Sequence, residues 1–132
     1  MTKRVYLDAS AAVKLVVSEP ESASVRMFLA GEVSRVSSRV LAVELIRAVI
    51  RGSPASLDQA RSLLGVIEFI ELDEEVAERA AGLEPAALRS LDAIHLATAL
   101  ALGEDLDAFV TYDARQGDAA RTLGLIVEAP SP

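Results

Sequence analysis

Four acidic side chains occupy positions at which carboxylates could do chemistry: Asp8, Glu44, Asp92 and Asp113. Two follow short apolar runs, one begins a long apolar stretch, and one lies midway along another. Three or four carboxylates that converge in one cleft repel one another, so such a group is normally kept with a bound cation. A site made only of oxygen ligands favours Mg²⁺ or Mn²⁺, and one or two such ions can position water for phosphodiester hydrolysis.

Three of these acids also have ordinary structural explanations. Asp8 and Asp113 are suitable helix caps, and either role is compatible with their positions. Ser90 is expected to be the N-cap of the helix that contains Asp92, whose charge in the first turn would complement the helix dipole by ~0.3–1 kcal/mol. His95, three residues further on, is expected to be a partly buried histidine bonded to backbone and not a general base.

The remaining acid, Glu44, shares one helical stripe with Arg47 and Arg51. A solvated face with an ion pair to Arg47, worth only ~0.2–0.5 kcal/mol, is the ordinary interpretation of this stripe. Lys14 and these two arginines could instead form a basic rim around the acids. Solvated positions are equally compatible with the pattern, so the hypothesis of a metal site depends on the four acids together.

The segments that must position these acids alternate between strands and helices. Strands are predicted over 4–7, 33–37, 66–71, 107–112 and 125–127. Helices are predicted over 9–17, 21–30, 38 or 39 to about 51, 56–64, 73–81 and 113–123, with a long helix around Asp92 that follows Ser90 and stops near Gly103. Near-continuous apolar strands between helices are typical of a mostly parallel sheet covered on both faces. We therefore expect one α/β domain over 1–132, with a five-stranded sheet and a frayed tail at 129–132. Ligands of such sheets gather at the carboxyl ends of strands, where Asp8 and Asp113 are predicted to lie.

Composition narrows the classes of function. Of the 132 residues, 52% are hydrophobic and 25% charged, which indicates a compact globular domain. The absence of cysteine excludes disulfides and thiolate chemistry, and a single histidine argues against structural zinc. No apolar run reaches the ~20 residues of a membrane span and no signal-peptide pattern is present, so we expect a cytoplasmic protein with no membrane contact. The net charge of −7 excludes general attraction to nucleic acid, so an RNA substrate would need a local basic patch or a bound cation.

Four motifs, through their order and spacing, resemble the PIN-domain family. They are Tyr6-Leu7-Asp8-Ala9-Ser10, Ala42-Val43-Glu44-Leu45, Leu91-Asp92-Ala93-Ile94-His95-Leu96-Ala97 and Thr111-Tyr112-Asp113. More narrowly, the whole chain is similar to the VapC-like toxins of type II toxin–antitoxin pairs. That family consists of Mg²⁺-dependent endoribonucleases with an acidic quartet, which are usually homodimeric and inhibited by an antitoxin protein.

The resemblance implies roles for individual residues. The implied catalytic quartet is Asp8, Glu44, Asp92 and Asp113. Its three aspartates would bind Mg²⁺, for which Mn²⁺ is expected to substitute, while the glutamate would help to hold a metal or the attacking water. Ser10 and Thr111 correspond to small hydroxyl positions that support the site. The basic residues that could contact RNA are Lys14, Arg47, Arg51 and Arg115. An arginine-bearing antitoxin segment is expected to pair with the acidic cleft.

Other interpretations fit less well. A phosphoacceptor receiver domain needs an acid pair after the first strand and a phosphorylatable aspartate at the end of the third, and neither pattern is present here. A dehalogenase-type phosphatase needs Asp-x-Asp after the first strand, but Ser10 stands at the position of the second acid. A non-catalytic PIN-like module that binds RNA or a protein is the remaining alternative, and the intact quartet argues against it. Loss of metal-dependent activity in Asp92→Asn would separate enzyme from binding module.

Overall fold

The computed structural model describes residues 2–132. The strands are β1 (Lys3–Leu7), β2 (Val33–Ser38), β3 (Glu68–Ile70), β4 (Ala108–Val110) and β5 (Val127–Glu128). The α-helices are α1 (Ala9–Lys14), α2 (Ser22–Phe28), α3 (Val40–Gly52), α4 (Leu57–Leu64), α5 (Glu74–Ala81), α6 (Ser90–Leu102) and α7 (Ala114–Thr122). None of the helices in this described part is long and apolar enough to cross a membrane.

The five strands form one parallel sheet in the order β3-β2-β1-β4-β5. The chain adds strands on one side of β1 as far as β3 and then crosses to the other side to form β4. The carboxyl ends of β1 and β4 are therefore neighbours at the topological switch point, with Leu7 opposite Val110. This is the place in an open α/β sheet where ligands bind, and the expected parallel architecture is confirmed.

Alternating side chains of β1 explain why helices cover both faces of the sheet. Val5 and Leu7 point to one face, where they pack with Ala11 of α1 and Val25 of α2. Tyr6 points to the other face, where it packs in the cluster of α6 and α7. The buried part of this central strand, Val5 to Leu7, thus has no charged side chain, as a parallel strand covered on both faces requires.

The orientation of α3 follows from its helical repeat. Leu41, Leu45 and Val49 recur every four residues, are fully buried, and pack against Leu63 of α4. Glu44 lies beside this buried stripe and is half-buried. The helix that fills the core therefore also carries a half-buried carboxylate beside its buried stripe.

Several predicted boundaries are wrong, because pairing and capping set the ends of elements. The predicted strand 66–71 is paired with β2 only at three positions, and the predicted strand 107–112 is likewise shortened to β4. Ser90 is not the N-cap of α6 but its first helical residue, and the cap is Arg89, which makes no side-chain capping bond. In the tail, the Pro130 carbonyl accepts a hydrogen bond of 2.6 Å from the Tyr112 hydroxyl, which anchors this segment to the domain.

Candidate active site

Asp8 follows β1 directly and is the most buried of the four acids, with 4% of its surface exposed. One carboxylate oxygen accepts hydrogen bonds from the Ser10 hydroxyl at 2.6 Å and from the Ala11 backbone N–H at 3.1 Å. The other accepts the Thr111 hydroxyl at 2.5 Å. Burial nonetheless outweighs these bonds and raises the pKa of Asp8 above its ordinary value. Asp8 is thus both the N-cap of α1 and a fixed acid at the switch point.

Two hydroxyl groups tie this acid to the end of β4. The Ser10 Oγ that donates to Asp8 also accepts the Tyr112 backbone N–H at 2.9 Å. The Thr111 Oγ1 accepts the Asp113 backbone N–H at 3.1 Å while donating to Asp8. Each hydroxyl therefore donates on one side and accepts on the other, which fixes the ends of β1 and β4 relative to each other.

Asp92 and Asp113 share one cationic partner, Arg89. The Arg89 Nε lies 3.2 Å from Oδ2 of Asp92, and its Nη2 lies 3.5 Å from Oδ2 of Asp113. Both carboxylates are partly exposed, at 24% and 31% of their side-chain surface. One cation therefore already lies within reach of both acids.

Gln116 joins the two segments that carry these aspartates. The Asp113 Oδ1 caps α7 by accepting the backbone N–H groups of Arg115 at 2.9 Å and Gln116 at 3.2 Å. The Gln116 side-chain amide in turn donates to the Asp92 carbonyl at 3.2 Å. Because Gln116 is buried, this bond holds the start of α6 against the start of α7.

Glu44 contacts His95 in place of the expected arginine. Its Oε1 lies 2.5 Å from Nε2 of His95, and Nδ1 of the same ring lies 2.7 Å from the Tyr6 hydroxyl. His95 is 1% exposed, so its expected burial is confirmed, but the expected backbone partner is wrong because both nitrogens contact side chains. Within residues 2–132, Glu44 makes no ion pair with Arg47.

The four basic candidates differ in their surroundings. Lys14 donates to Glu21 at 2.7 Å and to Glu19 at 3.3 Å, with only 13% of its side chain exposed. Burial opposes its charge, but the bonds to these glutamates outweigh burial and raise the pKa of Lys14. Because its ammonium group is bonded to Glu19 and Glu21, Lys14 is not part of an exposed basic rim around the acids. The three arginines are exposed and make no ion pair within the described part of the chain: Arg47, Arg51 and Arg115.

The donor set suits a hard divalent cation, although the side chains are not closed around one. Among residues 2–132, no three acidic or histidine side chains are arranged so that a single ion could contact them all. Carboxylate and hydroxyl oxygens are nevertheless the ligands that Mg²⁺ and Mn²⁺ prefer. The guanidinium between Asp92 and Asp113 stands in for a cation at the exposed part of the site. The residues therefore fit such an ion in chemistry, with Asp8 as the buried member of the set.

A cavity of about 740 Å³ opens beside Asp92 and Asp113. Besides Asp92 and Asp113, its walls include apolar Leu88 and charged residues of both signs: Arg89, Arg115, Glu84 and Asp118. Ligand pockets typically enclose ~300–1,000 Å³. The space is thus large enough for a molecule of about the size of a nucleotide.

Sequence reasoning missed four residues that organise the site, and they differ in how visible they were. Arg89 precedes Asp92 by three residues, a spacing at which an ion pair on a helix is expected. Gln116 follows Asp113 by three residues, at a position whose backbone a cap contacts. Tyr6 and His95 are 89 residues apart, and no local pattern signals that contact.

Known proteins match this chain over nearly its whole length. A family model described as PIN domain matches residues 5–122. Ribonuclease VapC46 of Mycobacterium tuberculosis (strain ATCC 25618 / H37Rv) is 46% identical over 127 residues, which cover 96% of this chain and 98% of that protein. Ribonuclease VapC47 of M. tuberculosis (strain CDC 1551 / Oshkosh) is 40% identical over 131 residues and 96% of both chains.

Solved structures share the fold at low sequence identity. M. tuberculosis VapC20, described as a sarcin–ricin loop cleaving toxin, has a TM-score of 0.74 at 13% identity, covering 96% of this chain and 99% of its own. VapBC2 from Rickettsia felis, bound to a promoter DNA fragment, gives 0.69 at 17% identity over 97% and 99% of the two chains. A toxin–antitoxin complex from Klebsiella pneumoniae gives 0.66 at 19% identity over 85% and 88%.

Proposed function

This chain belongs to the PIN-domain family, among the VapC ribonucleases of toxin–antitoxin systems, and we propose that its acidic site hydrolyses RNA with a divalent metal ion. The observation that carries the proposal is a chain of contacts at the switch point that links three acids. Arg89 pairs with both Asp92 and Asp113, and the Thr111 hydroxyl bonds both the Asp8 carboxylate and the Asp113 backbone N–H. The three acids come from the end of β1, the start of α6 and the loop after β4.

The chain's own residues divide the work of the site. A bound Mg²⁺, or Mn²⁺ in its place, would stabilise charge on the phosphate and lower the pKa of a bound water. Asp92 and Asp113 are the accessible acids that would hold the ion, and Asp8 would supply a third, buried carboxylate. Ser10 and Thr111 keep the Asp8 carboxylate in one orientation by bonding both of its oxygens. Glu44, approaching from α3, would hold a metal or orient the attacking water.

RNA is the proposed substrate, and the exposed arginines are the proposed contacts with its phosphates. Arg115 lines the cavity beside Asp92 and Asp113, while Arg47 and Arg51 project from α3, the helix that carries Glu44. These arginines would attract the RNA phosphates locally, although the protein as a whole, with a net charge of −7, does not attract nucleic acid. A phosphodiester near the acids would then be reached by both groups of arginines.

An antitoxin and a second copy of the chain are the proposed protein partners. The K. pneumoniae structure of similar fold is a toxin–antitoxin complex, which supports the first. Exposed apolar side chains such as Val43 and Ile50 on α3 are compatible with the second, because burying them would be favourable. Light scattering during size-exclusion chromatography tests the homodimer, and a monomer at every concentration would contradict it.

Cleavage of total bacterial RNA tests the function. Purified protein is incubated with Mg²⁺ or Mn²⁺ and new 5′ ends are mapped, beside an EDTA control and Asp92→Asn. We expect discrete cuts that EDTA abolishes and that Asp92→Asn reduces by more than the ~10–100-fold typical of outer hydrogen-bond partners. Asp58→Asn is the matched control, because Asp58 also lies in the first turn of a helix and is exposed.

The outcomes separate an enzyme from a binding module. Equal cutting by wild type and Asp92→Asn would contradict the assigned site. A similar loss of cutting in Asp58→Asn would show that Asp92 acts only as an acid in the first turn of a helix, where it complements the helix dipole. Absence of cuts in folded protein that is free of antitoxin, together with RNA binding, would favour the non-catalytic PIN-like module.

A further inference from the structure

Three side chains form a hydrogen-bonded line from the core of the sheet to the acidic site. The Tyr6 hydroxyl lies 2.7 Å from Nδ1 of His95, and Nε2 of that ring lies 2.5 Å from Oε1 of Glu44. Tyr6 and His95 are 0% and 1% exposed, so water does not compete for their bond. The line joins β1, α6 and α3, three of the elements that surround the site.

The direction of each bond follows from the protons available. The Tyr6 hydroxyl oxygen accepts the Ser38 backbone N–H at 3.1 Å. Burial raises the pKa of the Tyr6 phenol far above its usual value, so the hydroxyl keeps its own proton at neutral pH. That proton points to Nδ1 of His95, and a ring that accepts at Nδ1 carries its hydrogen on Nε2. His95 therefore donates to the Glu44 carboxylate.

These contacts exclude direct participation of His95 in the reaction. Both ring nitrogens are engaged by protein side chains, and the ring is buried. A general base must come within hydrogen-bond reach of the proton that it removes. His95 reaches only Tyr6 and Glu44, so any influence on the reaction passes through the glutamate.

We propose that His95 is a positioning residue that fixes Glu44, and that Tyr6 selects the ring nitrogen that does so. This inference rests on the proposed function, because Glu44 has a task only if the acidic site works. With Oε1 held by His95, rotation of the carboxylate is restricted and Oε2 is left for the site. Hydrogen bonds of this kind orient the groups that hold a metal, and their loss typically costs ~10–100-fold in metal affinity or activity.

The sole histidine of the chain gives this inference a direct spectroscopic test. In protein labelled with ¹⁵N at histidine, long-range ¹H–¹⁵N spectra identify which ring nitrogen carries the hydrogen. We expect the wild-type ring to carry its hydrogen on Nε2, with Nδ1 accepting from Tyr6. Tyr6→Phe should lose this single tautomer while keeping its ring stacked on Phe109. A wild-type ring protonated at Nδ1, or an unchanged spectrum in Tyr6→Phe, would overturn the inference.

Mn²⁺ affinity, measured on the full chain by electron paramagnetic resonance, tests the consequence for the site. We expect His95→Leu to bind Mn²⁺ ~10–100-fold more weakly. His95→Gln should recover part of this loss, because its amide can donate to Glu44. Ser22→Ala is the control: Ser22 is buried on α2, and its hydroxyl bonds the backbone of Val17 and Glu19, so Mn²⁺ affinity should not change.

The results distinguish failure of this inference from failure of the proposed function. Wild-type affinity in folded His95→Leu would overturn the inference and leave the function standing. Wild-type protein that neither binds Mn²⁺ nor cleaves RNA would overturn both. If His95→Leu does not fold, Mn²⁺ affinity is measured in Tyr6→Phe instead, which removes a single oxygen atom. We expect this variant also to bind Mn²⁺ more weakly than the wild type.

Discussion

Asp8 is held by hydrogen bonds that favour its carboxylate, yet burial makes the ionised form costly. Because its pKa in the folded protein is raised, the folded state binds this proton more tightly than the unfolded state does. The stability that Asp8 contributes is therefore fully present below its unfolded pKa and is lost as the pH rises through its folded pKa. Once Asp8 is ionised and no metal is bound, its charge therefore lowers the free energy of unfolding.

Asp8→Asn is accordingly expected to stabilise the metal-free protein at neutral pH, by about 1 kcal/mol, while abolishing RNA cleavage. The gain should shrink as the pH falls and the wild-type carboxyl takes up its proton. Thermal unfolding in EDTA, followed by circular dichroism between about pH 5 and pH 8, measures the difference. Asp73→Asn is the control, because Asp73 also caps a helix but is exposed. Destabilisation by Asp8→Asn at every pH would contradict this expectation.

At the level of residues, sequence reasoning identified side chains better than their partners. Asp8 and Asp113 could be placed at the sheet edge because each directly follows an apolar strand. The contact of His95 with Glu44 could not, since it spans 51 residues and depends on how α3 and α6 pack. Helical periodicity states which way a side chain faces on its own helix, but not which neighbour it meets there.

Among the elements, α7 depends on an acid of the site for its beginning. Asp113 accepts two backbone N–H groups of the first turn, those of Arg115 and Gln116. Its carboxylate thus serves the helix and the proposed reaction at the same time, and substitutions can separate the two roles.

We expect Asp113→Ala to lose about 1 kcal/mol of stability because the cap is removed, whereas Asp113→Asn should retain most of it, since asparagine caps about as well as aspartate. Both variants should lose RNA cleavage, because neither retains the charge. Urea unfolding followed by circular dichroism measures the first effect, and cleavage of the same RNA measures the second. Equal stability of the two variants would show that the cap contributes little to α7.

The order of elements was predictable, but their lengths were less so. Apolar strands that alternate with helices identified the parallel sheet, because burial on both faces leaves a continuous apolar run. The run at 66–71 is longer than β3, since Val66 and Ile67 precede the segment that pairs with β2. Hydrophobic composition marks burial, whereas the ends of a strand are set by its partner.

For the whole molecule, the net charge of −7 makes RNA binding depend on a few arginines. Each phosphate contact with a single strand contributes about −0.7 to the slope of log affinity against log salt, so the three exposed arginines predict a slope of about −2. Arg115→Ala should make the slope shallower by about 0.7. Fluorescence anisotropy of labelled single-stranded RNA with inactive Asp92→Asn protein, at fixed Mg²⁺, measures it. Arg26→Ala on α2 is the control, because Arg26 is exposed on a different helix. An equal change of the slope in this variant would contradict RNA binding by a local group of arginines.

Binding of an antitoxin arginine should be in competition with Arg89. An incoming guanidinium that pairs with Asp92 and Asp113 must displace the one already there. Because exposed pairs contribute only ~0.2–1 kcal/mol, Arg89→Ala should tighten antitoxin binding by no more than about fivefold. Asp92→Asn should weaken binding more than Asp8→Asn, since Asp8 is buried. Isothermal titration calorimetry with the cognate antitoxin measures these affinities. A larger loss of affinity in Asp8→Asn than in Asp92→Asn would show that the antitoxin reaches Asp8.

The strand order also sets when activity can arise during synthesis. β4 pairs with β1 across about a hundred residues of chain. This pairing brings Thr111 and Asp113 to Asp8, which is synthesised long before them. A nascent chain that has not released β4 from the ribosome holds Asp8 and Asp92 but lacks the strand that joins them. We therefore expect a polypeptide that stops before β4 to lack the proposed nuclease activity, because Asp8 is then without the Thr111 hydroxyl and without Asp113.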